Sequence, residues 1–294
     1  MNRFPIPLVL FLALATGITA QQDERSLLRQ GMKLQNEGQT EAAILVYERL
    51  RDRNARNISV VYRLASAYQK VGRYDDAIAL LGDRLRRAPG DITALNRLSD
   101  VYFAAGMPSE ADEQVERILQ ISPNQGTYIS VGKRYEGRNQ DERATEVYLR
   151  GRRVLKDPEL FSRELGQIYE RAENYPAAVR AYSTLAQQKP QYVSLVESRL
   201  RTIAAEAPDL PPLFDLLLES VKGGYRDSRT TRLFVTFAIE AGLTTEALRE
   251  LLTLPARAPV EGSLLRIGRE ALEHGEAGDA IRAFESLASR TRNR

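Results

Sequence analysis

Apolar side chains in this chain recur with the period of a helix, and then the pattern stops. Val61, Leu64, Ala65 and Tyr68 fall at i, i+3, i+4 and i+7, one stripe of an amphipathic helix. Gly72 closes that stripe, as glycine does just past helix C-termini. Asp75 and Asp76 open a second helix, where carboxylates favour the positive end of the dipole. Ala77, Leu81 and Leu85 carry it to Pro89. The unit reads helix, tight turn, helix, stop. It is then repeated: Leu64, Tyr68, Gly72, Ala77 and Pro89 correspond to Leu98, Tyr102, Gly106, Ala111 and Pro123, each 34 residues further on.

Three more copies share the phase. One, from about Glu24 to Asn57, carries Leu27, Gly31, Leu34, Gly38, Ala43 and Tyr47. A fourth carries Tyr128, Gly132, Tyr135, Ala144 and Tyr148, and a fifth Leu165, Gly166, Tyr169, Ala178, Tyr182 and Pro190. Small residues in the first helix (Ala65, Gly132, Gly166) and in the second (Ala43, Ala77, Ala111, Ala144, Ala178) predict close helix approach, with Tyr and Leu filling the gap. No such unit buries its apolar face alone, so neighbours must stack into one core. The pattern resembles the tetratricopeptide repeat. The resemblance implies an all-α fold: a TPR-type α-solenoid, a right-handed superhelix of antiparallel helix pairs.

After Pro190 the phase slips, interrupted by "EAPDLPPLF" and by Gly223 and Gly224. Ala238, Gly242 and Ala247 mark a degenerate copy; Leu264, Gly268, Gly275, Ala280 and Phe284 mark a clearer one. The expected organisation is a signal segment at 1–20, five repeats over 21–190, and divergent helical repeats continuing the solenoid over 191–294. Repeat arrays close with a polar capping helix. Here the last pattern, Asp279 to Ser289, is followed only by "RTRNR", so either Ala283, Phe284 and Leu287 pack fully inward, the favoured expectation, or a partner or second copy covers that end.

"MNRFPIPLVLFLALATGITA" has a basic start, a short apolar run and a small residue before Gln21, the form of a secretory signal. The run is short for a membrane span. With no cysteine after it, a lipoprotein anchor is ruled out, and an exported cysteine-free chain suits a bacterial periplasm. The expected localisation is periplasmic, or alternatively held at the membrane by an uncleaved N-terminal segment.

Forty-two basic and 39 acidic residues nearly balance, which argues against a nucleic-acid binder. With no cysteine and one histidine, thiolate catalysis and the common zinc and iron–sulfur sites drop out. Glu270 and His274, one turn apart, offer two metal ligands and not a site. "GTYISVGKR" departs from a phosphate loop, with Arg134 where Ser or Thr should stand. No catalytic residue, cofactor or metal is expected.

What remains is a surface. The resemblance implies binding of a protein segment along the face of the first helices, here called A, as distinct from the second, B. The residues between the packing positions of that face are Leu28, Met32 and Gln35; Tyr62, Ser66 and Gln69; Asn96, Asp100 and Phe103; Ile129, Lys133 and Glu136; and Arg163, Gln167 and Glu170. The clamp by which chaperone-binding members hold a C-terminal carboxylate maps to Leu28, Met32, Arg63, Thr93 and Arg97, of which only Arg97 matches. The expected function is a non-catalytic protein-interaction scaffold of the bacterial cell envelope, a monomer with envelope-protein partners, no nucleic acid and no membrane span after signal cleavage. The alternative is a carbohydrate- or cell-wall-binding factor in polysaccharide secretion, suggested by 13 tyrosines.

Overall fold

A computed structural model of the chain describes residues 7–55, 57–223, 228–256 and 258–292, with side chains from Gln22 onward. The segment read as an export signal, residues 1–20, lies outside the residues whose side chains are described. Among the described residues there are sixteen α-helices, one 3-10 turn and no strand. None of these helices is long and apolar enough to cross a membrane. The chain forms two compact units, Met1–Thr127 and Tyr128–Arg294.

The first unit holds α1 (Pro7–Asn36), α2 (Thr40–Arg53), α3 (Ile58–Lys70), α4 (Tyr74–Arg87), α5 (Ile92–Ala104) and α6 (Pro108–Ile121). Each packs on the next, and α3 also packs on α5, so helix A of one pair lies beside helix A of the following pair. Two A helices begin at side-chain caps: the Asn57 carboxamide oxygen accepts from the Val60 amide at 3.3 Å, and an Asp91 carboxylate oxygen from the Ala94 amide at 3.0 Å. Each cap satisfies one otherwise orphaned amide.

The second unit holds α7 (Gln125–Glu136), α8 (Asp141–Leu155), α9 (Ser162–Arg171), α10 (Tyr175–Gln188), a 3-10 turn at Pro190–Tyr192, α11 (Val193–Glu206), α12 (Pro211–Gly223), α13 (Ser228–Glu240), α14 (Thr244–Thr253), α15 (Glu261–Glu273) and α16 (Ala277–Arg292). Here α11 packs on α13 and α13 on α15, while α10 packs on α12 and α14 on α16. The A-on-A and B-on-B stacking therefore continues where the sequence phase slips.

One register recurs in six of the helix pairs. A buried small residue of helix A lies seven positions before the residue that turns the chain into helix B. Gly38, Gly72, Gly106 and Gly275 make that turn with φ between 75° and 80°; Asn139 and Glu173 make it at 57° and 55°. Sixteen positions after the small residue, helix B supplies what packs on it. Where the small residue is glycine the partner is aromatic: a Cβ on Gly31, Gly132, Gly166 or Gly268 would lie 2.5, 2.3, 2.6 or 2.6 Å from the ring of Tyr47, Tyr148, Tyr182 or Phe284. In the second and third pairs the combination is Ala65 with Leu81 and Ser99 with Val115, all buried. Small against large is kept in volume and varied in chemistry, the condition for native packing density.

Two features of the second unit depart from the simple pattern. Helix α13 is buried nearly all round, at Thr230, Thr231 and Leu233 through Ala238, because α10, α11, α12, α14 and α15 all pack on it. The last helix closes differently from expectation. Ala283 is fully buried, but Phe284 and Leu287 are only partly covered. Arg290, from the tail, is buried and donates to the carbonyl oxygens of Leu254 and Pro255 at 2.9 Å and of Ala256 at 3.2 Å. One guanidinium thus satisfies the carbonyls of the α14–α15 loop and pins the end of α16 to it.

Candidate functional site

The helix-A face of the first unit is assembled from α1, α3 and α5. Leu28, Met32 and Gln35, then Tyr62, Ser66 and Gln69, then Asn96, Asp100 and Phe103 all lie on it, each half-buried. Several are already engaged. The Tyr62 hydroxyl donates to Asp91 at 2.6 Å, and Arg84 pairs with the same carboxylate. Burial and then that bond push Tyr62 up to about 12. Gln69 donates to the Asp100 carbonyl at 3.2 Å and Asn96 to the Ile92 carbonyl at 2.9 Å. Gln35 accepts from the Tyr47 hydroxyl at 3.1 Å.

Gln35, Tyr62 and Ser66 line one cleft of about 270 Å³, together with Ser59, Arg63 and Arg97. The Arg97 guanidinium lies 5.0 Å from the Tyr62 ring centre, a cation–π contact that stiffens the wall. The cleft's charged residues are both arginines. A wider cleft of about 670 Å³ opens between α2, α3 and α4, but it is lined by three aspartates (Asp52, Asp76, Asp83) and three arginines (Arg51, Arg84, Arg87). That balance leaves no net charge to attract a ligand, so the helix-A cleft is the better candidate. Arg63 and Arg97 do not figure among the fifteen face residues expected from sequence. The signal that could have included them is their own 34-residue spacing on successive A helices.

On the second unit, Ile129, Lys133 and Glu136 lie on α7 and Arg163, Gln167 and Glu170 on α9. Their charges are largely satisfied within the unit. Glu136 accepts from the Tyr148 hydroxyl at 2.8 Å and pairs with Lys133 at 3.1 Å and Arg171 at 3.3 Å. Glu170 accepts from the Tyr182 hydroxyl and pairs with Arg199 at 3.5 Å. Burial, and then these bonds, raise both phenols well above the usual tyrosine range. Arg163 pairs with the buried Glu164 at 2.7 Å. His274 sits at the end of α15 beside Glu270, exposed, with Nδ1 3.0 Å from the Glu270 carbonyl oxygen.

Residues 34–98 and 70–130 match the sequence model of the tetratricopeptide repeat. That stretch is tetratricopeptide-repeat sequence. It contains α2 to α6 and the cleft-lining Gln35, Tyr62 and Arg97, and the chain's fold is the all-α stack of helix pairs that such repeats build. Among solved structures, the chain is similar to part of a tetratricopeptide-repeat protein of Cytophaga hutchinsonii, at 17% identity over 91% of this chain and 96% of that one, TM-score 0.43. It is also similar to a thermophilic tetratricopeptide-repeat protein of Thermus thermophilus, at 20% identity over 60% of this chain and 96% of that one, TM-score 0.38. The MamA protein of Desulfovibrio magneticus aligns at 17% identity over 45% of this chain and 76% of that one, TM-score 0.37. No curated protein sequence matches the chain.

Proposed function

We propose that this protein is a non-catalytic interaction scaffold that binds an extended or helical segment of a cell-envelope protein along its helix-A face. The observation that carries the reading is the cationic cleft across α1, α3 and α5, with half-buried Met32 on α1 and Phe103 on α5. Partly open apolar groups beside fixed polar ones suit anchoring of a partner's side chains. The envelope assignment is supported by the N-terminal sequence pattern and by the lack of cysteine.

The test is in-cell crosslinking of the tagged full-length protein, followed by fractionation, N-terminal sequencing and mass spectrometry. The variant combines Met32→Ala, Phe103→Ala, Arg63→Gln and Arg97→Gln and leaves the bonds of Tyr62 and Gln35 in place. Reproducible envelope partners that vanish with the variant are expected. A variant that retains every partner would sink the reading, as would an unprocessed protein confined to the cytoplasm for its envelope part.

A further inference from the structure

A second helix-A cleft lies within the second unit, outside the stretch that matches the repeat model. It is about 580 Å³ and spans α11, α13 and α15. Its charged lining residues are Arg201 from α11, Arg232 from α13, Arg266 from α15, and Glu197 from α11. Glu197 is buried. It takes both arms of Arg232, at 2.7 and 2.5 Å, and accepts from the Thr236 hydroxyl at 3.0 Å. Arg266 donates to the same hydroxyl at 2.6 Å, with its guanidinium 3.8 Å from Glu197.

The charge does not balance. One carboxylate is read in fork geometry by one arginine, and two further guanidinium groups remain. Arg201 is exposed and forms no hydrogen bond or ion pair among the described residues. Arg266 is about one-third exposed, held by a neutral hydroxyl and by the outer reach of Glu197. Burial, together with the repulsion of Arg201 and Arg232, lowers its affinity for its proton despite Glu197 and Glu270. Glu270, one turn along α15, also attracts Arg266 from outside the cleft lining and lies 3.6 Å from the His274 ring. A cleft lined by three cations from three successive A helices and by one acid has the chemistry to receive a second carboxylate.

We infer that the α11–α13–α15 cleft binds a carboxylate side chain of an acidic protein segment, seated between Arg201 and Arg266. The cleft has several times the volume of a phosphate ion, which favours a side chain carried on a segment lying across three helices. The inference rests on the scaffold reading and places a second, charge-reading contact outside the residues that reading uses.

Fluorescence anisotropy with the full-length protein tests it, using labelled hexaglutamate and hexaglutamine as probes and inorganic phosphate as competitor. Hexaglutamate is expected to bind and hexaglutamine is not. Arg201→Gln with Arg266→Gln should weaken hexaglutamate binding at least tenfold. Glu197→Gln keeps the shape and deletes the competing charge, so it should tighten binding several-fold. Melting temperatures separate misfolding from lost affinity, and Arg153→Gln with Arg249→Gln, exposed arginines that line neither cleft, serves as the control that leaves binding unchanged. Hexaglutamate binding untouched by the Arg201/Arg266 pair, or weakened by Glu197→Gln in a folded protein, overturns the inference. So does phosphate binding as tightly as the peptide, which would make this a small-anion site. Envelope partners captured as before by the Arg201/Arg266 variant would overturn this cleft alone; partners lost only with the first-unit variant leave the scaffold reading standing.

Discussion

Gly132→Ala adds one carbon to helix α7. That carbon would sit 2.3 Å from Cζ of Tyr148 and 2.5 Å from its Cε1 and Oη. Ordinary contact requires more than 1 Å of retreat, roughly the scale of a methyl group. The ring cannot retreat freely. Phe161 stacks on it with centroids 5.3 Å apart, and the hydroxyl is fixed to Glu136 at 2.8 Å. Overpacking of this kind costs about 1–3 kcal/mol, and the upper end applies where the neighbour is held at both ends. Alanine's better helix propensity returns about 1 kcal/mol. The net expectation is a loss of about 2 kcal/mol. The second repeat contains the remedy, since its equivalent pair is Ala65 and Leu81. Tyr148→Leu alone should cost about 3 kcal/mol through lost volume and hydroxyl. In the double variant the new methyl fills part of the vacated space. Urea denaturation of the four proteins in a double-mutant cycle should give a favourable coupling of about 1.5–3 kcal/mol. Additivity within about 0.5 kcal/mol would refute the packing argument.

Three other perturbations follow from single groups. Arg290→Met removes the donor to the Leu254, Pro255 and Ala256 carbonyls; hydrogen bonds from a charged group contribute about 1.5–3 kcal/mol, so hydrogen exchange should accelerate in α14–α16 and not in α9–α10. Glu173 holds φ 55°, where a non-glycine residue costs about 1–2 kcal/mol; after glycine's larger unfolded-state entropy, Glu173→Gly should stabilise by up to about 1 kcal/mol, and a lower melting temperature would contradict it. Glu197 is raised by burial but lowered more by its bonds to Arg232 and Thr236 and by Arg266, for a net depression below 4.5. A depressed carboxylate stabilises above its unfolded pKa and loses that contribution as pH falls through the folded one. The wild type should therefore lose stability more steeply than Glu197→Gln below about pH 4.5, and parallel acid melts would contradict the pairing.

The repeat frame was legible because packing imposes it on every copy. Ala43, Ala77, Ala111, Ala144 and Ala178 are each fully buried at the expected places. Other features lacked a repeated signal. Thr230, Thr231 and Thr236 make α13 look half-polar, yet the Thr231 and Thr236 hydroxyls find carbonyl or carboxylate acceptors and the helix is enclosed. Arg290 reads as part of a solvated basic tail until its carbonyl partners come from 32 to 36 residues back. Glu197 is one acid among 39, and only the meeting of α11, α13 and α15 makes it the counter-ion of a cationic cleft.

The same geometry explains why the expected binding residues differ in character along the chain. The residue of helix A four positions after the small one reaches the tip of its helix-B partner. Where that partner is tyrosine, the phenol takes it: Gln35 by Tyr47, Glu136 by Tyr148, Glu170 by Tyr182. In the second and third pairs the partner is Leu81 or Val115, which has no hydroxyl to donate. Gln69 turns instead along the face to the Asp100 carbonyl, and the equivalent of the third pair is the apolar Phe103. The small–large exchange that preserves packing thus decides, repeat by repeat, whether the face residue is consumed as structure. Converting Val115 to Tyr together with Ser99→Gly would install the first-repeat pair in the third, filling beneath Phe103 with a phenol. If the face of α5 contributes to partner binding through its apolar character, that stable double variant should lose the partner while keeping the fold.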